Sequence, residues 1–114
     1  MPYFEVQTSA ALPEEERAGL RRELARVIEL VPGKSERWLM VHIEDGADMA
    51  FAGDASAPAA MVELKTFGEL EAGLYDMLTR ELCASLPPLL HVPADRLYVV
   101  YEPISRWGWN GGNF

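Results

Sequence analysis

Pro2 is the residue with the most unusual chemistry available to it. Initiator methionine is removed when the second residue is small, and proline qualifies. Removal exposes a secondary amine at the first residue of a strand. Partial desolvation and a nearby cation would lower the pKa of that amine toward neutrality, so that it could serve as a general base or nucleophile. The plain alternative is that Met-Pro is a common chain start. Lys34 follows Pro32-Gly33. It either rests at a helix end, where the macrodipole favours a cation, or meets an acidic substrate. Tyr98 and Tyr101 fall on opposite faces of one strand and read as core or interface residues. The stretch Trp107-Gly-Trp-Asn-Gly-Gly-Asn-Phe114 is too aromatic for a solvated tail. It packs across an oligomer interface or walls a pocket.

Other chemistries lack their residues. There is no phosphate-cradling glycine loop, no nucleophile elbow and no His-Glu-x-x-His. The two histidines, His42 in an apolar strand and His91 after Pro87-Pro88, read as structural, with no metal site. The single cysteine, Cys83, excludes an internal disulfide and a cysteine-cluster metal centre. No cofactor is expected. A net charge of −8 argues against nucleic acid or an anionic membrane as partner, because phosphate contacts need clustered cations. No apolar run approaches the roughly 18 residues of a membrane span. The start of the chain lacks the basic and apolar regions of a signal peptide. The expected location is cytoplasmic, or extracellular by a route that needs no signal peptide.

The elements that must position these residues come in two copies. Phe4-Glu-Val-Gln-Thr8 and Val62-Glu-Leu-Lys-Thr66 share one alternating pattern and read as strands. Each precedes a helical stripe. In the first, Leu20, Leu24, Val27, Ile28 and Val31 share a face. Pro13 and Glu14-Glu-Glu16 open that helix, and Pro32-Gly33 closes it. In the second, Leu70, Leu74, Met77, Leu78 and Leu82 form the stripe, and Pro87-Pro88 stops it. Arg37-Trp-Leu-Met-Val41 and Arg96-Leu-Tyr-Val-Val100 then match as Arg followed by four apolar residues. The chain is thus a single domain, 1–114, of two β-α-β repeats, about 2–45 and 60–103. The predicted fold class is α+β, a four-stranded sheet with two helices on one face. Each crossover should join parallel strands. The strands read as apolar on both faces. Arg37–Ile43 would carry Trp38, Met40 and His42 on one face and Leu39, Val41 and Ile43 on the other. A second subunit would have to cover the bare face, so an oligomer is expected.

In order and spacing, the chain resembles the macrophage migration inhibitory factor family of the tautomerase superfamily. The resemblance spans nearly the whole sequence. It rests on Met1-Pro2 leading into a strand, Pro-Gly-Lys34 before Trp-Leu-Met-Val-His42, and Met49-Ala-Phe-Ala-Gly53. Thr66-Phe-Gly68, Ala94-Asp-Arg-Leu-Tyr98 and Gly108-Trp-Asn110 complete it. It implies a homotrimer and cofactor-free keto–enol tautomerisation of phenylpyruvate-like substrates. Pro2 would be the base, and Lys34 would hold the substrate carboxylate with help from the backbone N–H of Phe67. Tyr98 of a neighbouring subunit would line the site, with Trp38, Trp109 and Phe114 as further aromatic walls. Val100 stands where the family pattern has an Asn that meets a phenolic hydroxyl. The Cys-x-x-Cys of animal members is replaced by Ala59-Ala-Met-Val62, and the segment before Gly108 is shorter. Arg106 and Trp107 have no counterparts. The second repeat has Ala60 where the first has Pro2, so one site per chain is implied. Two alternatives stay open. One is a cytokine-like ligand of a host receptor with a vestigial pocket. The other is dehalogenation or decarboxylation on the same scaffold, for which Arg106 is the available extra cation.

Overall fold

The structure, a computed structural model, describes residues 1–114. Strand β1 (Pro2–Thr8) leads into helix α1 (Glu14–Ile28), and strand β2 (Met40–Glu44) returns beside β1. Strand β3 (Ala60–Phe67), helix α2 (Ala72–Leu90) and strand β4 (Leu97–Ile104) repeat the unit. Within each repeat the two strands are parallel, and β1 pairs antiparallel with β3. The sheet order is β2-β1-β3-β4. The predicted topology is the observed one.

Alternation along the strands sends Phe4, Val6, Val62 and Leu64 into one core with Leu20, Leu24 and Ile28 of α1 and Leu78, Leu82 and Leu86 of α2. Burial of each such side chain contributes about 1.5–3 kcal/mol. The core leaves the opposite sheet face bare. Tyr3, Glu5, Gln7, His42, Glu44, Glu63, Lys65 and Glu102 line it, with the more apolar Met40, Tyr98 and Val100 among them. The expectation of a face apolar throughout is therefore corrected. Strict alternation places the acids of β1 and β3 there, and apolar side chains remain exposed on β2 and β4, Met40 at 66% and Tyr98 at 58%.

Four element boundaries also differ from the sequence reading, the first being that Leu70, read as part of the second helical stripe, precedes α2, which starts at Ala72. The strand expected from Arg37 begins at Met40, and Glu36–Trp38 form a 3₁₀ turn instead. The register explains this. Tyr3 pairs with Met40, and the residue before Tyr3 is a proline, which has no N–H to extend the ladder. Glu29 accepts the Glu36 N–H at 2.8 Å and so fixes the turn. Helix α1 ends at Ile28, before Pro32-Gly33, through tighter turns such as Val31 N–H to the Ile28 carbonyl at 3.1 Å. Val31 is still buried.

Helix α2 does not stop at Pro87-Pro88 but runs through them to Leu90. Each interior proline forgoes a helical hydrogen bond, a cost of about 3 kcal/mol in an isolated helix. Here the added turn brings Leu90 into full burial, and the fixed φ of proline suits a helix. His91 in the left-handed conformation (φ 55°) ends it. No helix is long and apolar enough to cross a membrane.

After β4 the chain forms a small hairpin, β5 (Gly108–Trp109) with β6 (Gly112–Asn113). Asn110 and Gly111 make its turn with φ of 50° and 84°, the positive pair that a two-residue hairpin turn demands. The Phe114 N–H bonds back to the Trp107 carbonyl at 3.0 Å.

Candidate active site

The start of β1, the 3₁₀ turn before β2 and the C-terminal hairpin enclose a cavity of about 660 Å³. Pro2 stands in its wall and is buried. The hairpin supplies Trp107 and Trp109, and the turn supplies Arg37 and Trp38. Trp38 and Trp109 meet edge to face, with ring centroids 5.1 Å apart at 88°. Trp109 stacks on Phe114 at 6.2 Å, and Phe114 lies 5.9 Å from Phe67. These four rings form one continuous aromatic band. Contacts of this kind add about 0.5–1.5 kcal/mol each beyond burial, which is why a hairpin of two-residue strands can hold its place.

The Met1 amine has its pKa held below the usual value for a chain terminus. Burial is the main cause, followed by the positive charge of Lys34 and a hydrogen bond with its side chain. Lys34 is thus close to the beginning of β1, whatever its relation to the helix dipole. With Met1 in place the Pro2 nitrogen is an amide and carries no basic lone pair. Met1 also occupies the Phe67 N–H, which donates to its carbonyl at 3.1 Å.

Of the eight residues singled out in the sequence, Pro2, Trp38 and Trp109 line the cavity. Lys34, Phe67 and Phe114 adjoin it through the contacts just given. Tyr98 and Val100 are not brought there within one chain. They pair with Met61 and Glu63 of β3, whereas Pro2 pairs with Thr66. That separation is roughly 16 Å and 10 Å along the strand. Tyr98 packs instead against Phe51, with centroids 5.2 Å apart.

Several lining residues were not singled out: Tyr3, Arg37, Met40, Lys65 and Ile104, whereas Trp107, read as packing across an interface or walling a pocket, lines it. Tyr3 and Lys65 face each other across the β1–β3 ladder, a pairing that no local pattern reveals. The Asn110-Gly111 dipeptide was the available signal for the hairpin and therefore for Trp107. Arg106, the cation expected to reach the site, lies in a separate hollow with Ser105, Asn113 and Phe114. Arg37 lines the cavity in its stead. The two histidines occupy different surroundings. His42 on the bare sheet face approaches Tyr3 at 3.3 Å and Glu5 at 3.6 Å, and His91 contacts Glu16 at 2.9 Å.

The electrostatics of the cavity oppose those of the chain. The protein carries −8 overall, yet no carboxylate lines this wall, and Arg37 and Lys65 do. With Lys34 beside the amine, the cavity suits an anionic ligand with a flat apolar body.

Two β-α-β units in one sheet, with a cavity at the start of the first strand, define a protein of the tautomerase superfamily fold. The macrophage migration inhibitory factor (MIF) family profile matches residues 1–114. The chain is 31% identical to macrophage migration inhibitory factor of Rattus norvegicus, covering 100% of this chain and 99% of that protein. The crystal structure of Leishmania major MIF2 superposes with a TM-score of 0.92 at 32% identity, covering 100% of this chain and 97% of that one. A homologue from Prochlorococcus marinus superposes with a TM-score of 0.78 at 29% identity, covering 98% of each. The chain belongs to the macrophage migration inhibitory factor family.

Proposed function

We propose that this protein is a cofactor-free keto–enol tautomerase of phenylpyruvate-like acids, working as a homotrimer with the Pro2 amine as its base. The observation that carries the reading is the position of Pro2. It is buried in an aromatic-walled, cation-lined cavity, next to an amine whose pKa burial and Lys34 both lower. Removal of Met1 moves the free amine to the Pro2 nitrogen and leaves the Phe67 N–H without its carbonyl partner. The freed N–H and the Lys34 ammonium then hold the substrate carboxylate. Trp38, Trp109 and Phe114 hold the ring.

In the direction enol to keto, the Pro2 nitrogen takes the enol hydroxyl proton and returns it to the adjacent carbon. The carbonyl forms as the carbon–carbon double bond is consumed, and the base is regenerated. The same surroundings that lower the Met1 amine act on the Pro2 amine in the same direction and favour the unprotonated base that the step requires. Tyr98 and Val100 of a neighbouring subunit complete the wall. The bare sheet face, with Met40 and Tyr98 exposed on it, is the surface for that neighbour.

Phenylpyruvate tautomerisation by Met1-free protein, beside Pro2→Gly and a form that retains Met1, tests the reading. The wild type should turn over. Pro2→Gly should lose about a hundredfold or more, the usual share of a general base, and the Met1-retaining form should be inactive. Full activity in either altered form would overturn the assignment of Pro2.

A further inference from the structure

We infer that Arg37 forms a second anion subsite in the wall of the cavity, fitted to a dicarboxylate: an aromatic keto acid with a second carboxylate on its ring. Three observations carry this. First, the Arg37 guanidinium lies over the Trp38 ring, 5.1 Å from its centroid. It is thus held at the cavity wall, with its edge left to make hydrogen bonds. Second, it has no carboxylate partner, although six Lys or Arg ion pairs exist elsewhere in the chain. The other cation in the wall, Lys65, is already engaged, 3.8 Å from Glu102 and above the Tyr3 ring.

Third, the internal repeat provides a comparison. Arg96 is the counterpart of Arg37, each at the end of a 3₁₀ turn or within it, just before a strand. Four of the five Arg96 N–H donors are used. They reach the carbonyls of Phe51, Asp54, Ala57 and Pro58 at 2.8–3.3 Å and clasp the loop that leads into β3. In the first repeat the corresponding space is the cavity, and the Arg37 donors meet no carbonyl there. A planar fork of unpaired donors on an aromatic wall matches a carboxylate bidentately. With Lys34 beside the Met1 amine, the cavity offers a dianion a second cation besides Arg37.

The inference rests on the tautomerase reading only for which end of the ligand reacts, so binding tests it independently. The three tryptophans of the chain all line the cavity, and quenching of their fluorescence reports its occupancy. The two probes are 4-carboxyphenylacetate and phenylacetate, neither of which needs to react. The wild type should bind the dianion about fivefold more tightly, the upper range for a solvent-facing ion pair. Arg37→Gln should bring the ratio to about one, Arg37→Lys should keep part of it, and Lys65→Gln should leave it in place. Equal binding by the wild type, or a preference that survives Arg37→Gln or vanishes with Lys65→Gln, would overturn the subsite. Phenylpyruvate turnover measured on the same preparations separates the two claims. Preference without turnover defeats the tautomerase reading alone, and turnover without preference defeats this inference alone.

Discussion

Replacing Lys34 with alanine perturbs two things at once, and they can be read separately. The first is substrate binding. A hydrogen bond to a charged group contributes about 1.5–3 kcal/mol. Lys34 is half-buried, so solvent screening puts its carboxylate contact at the low end, about 1.5 kcal/mol. That corresponds to a rise in KM of roughly tenfold. The contact exists in ground state and transition state alike, so kcat should change much less. The second is the base. Lys34 lowers the pKa of the Met1 amine by its nearby positive charge, while burial supplies the larger part, and it acts in the same direction on the Pro2 amine once Met1 is gone. Removing Lys34 therefore raises the pKa without restoring the free-solution value. The acid limb of kcat/KM moves to higher pH. At alkaline pH both forms have a free base, and the variant shows only the binding loss. At acid pH more of its base is protonated, and the deficit grows. The assay is the pH profile of kcat/KM for phenylpyruvate between about pH 5 and pH 9, wild type against Lys34→Ala. A ratio of the two that is flat across pH, or an unchanged KM, would refute the placement of Lys34 beside both the base and the substrate.

Three further outcomes are expected. Val100 offers a phenolic hydroxyl no partner, which costs about 1–3 kcal/mol. Phenylpyruvate should therefore exceed its 4-hydroxy analogue in kcat/KM, and Val100→Asn should narrow the gap; equal values in both proteins would mean the ring does not point at residue 100. Sedimentation at micromolar concentration should give a trimer, since Met40 and Tyr98 stay exposed in one chain, and a monomer would count against the oligomeric site. Arg96→Ala removes four bonds to loop carbonyls from a guanidinium that is 12% exposed. The loss should be about 3 kcal/mol in urea unfolding, and a change under 1 kcal/mol would show that the Phe51–Pro58 loop holds itself.

The repeat was legible because both copies must solve the same packing problem. Phe4-Glu-Val and Val62-Glu-Leu alternate because one face of each strand meets the helices, and that face is the core. The helix ends were less legible because local signals compete with burial. Pro87-Pro88 is a strong stop on propensity alone, yet Leu90 gains full burial if the helix continues, and burial prevails. The strand starting at Arg37 failed for a reason outside its own segment. The ladder it needed ends at the imide nitrogen of Pro2, on another strand.

The site divides along the same line. Pro2 and Lys34 could be picked from their own chemistry and Trp38 from the family resemblance, and their meeting follows from β1 and β2 being neighbours in parallel register. Lys65 could not, because its place depends on the antiparallel register of β3 against β1. Arg37 was visible only as half of a sequence match. Its counterpart Arg96 shows what that match means. The same residue before the second strand of each repeat fastens a loop in one copy and faces a cavity in the other. Pro2 and Ala60 differ in the same way. Ala60 is buried at the head of β3, with a peptide bond on either side and Thr8 across the ladder. Pro2 needs only one peptide bond cleaved to become an amine. On the proposed function, the duplicated fold carries one site because the base and the free cation both occur in the first copy. In the second, the equivalent backbone and side-chain groups are already bonded.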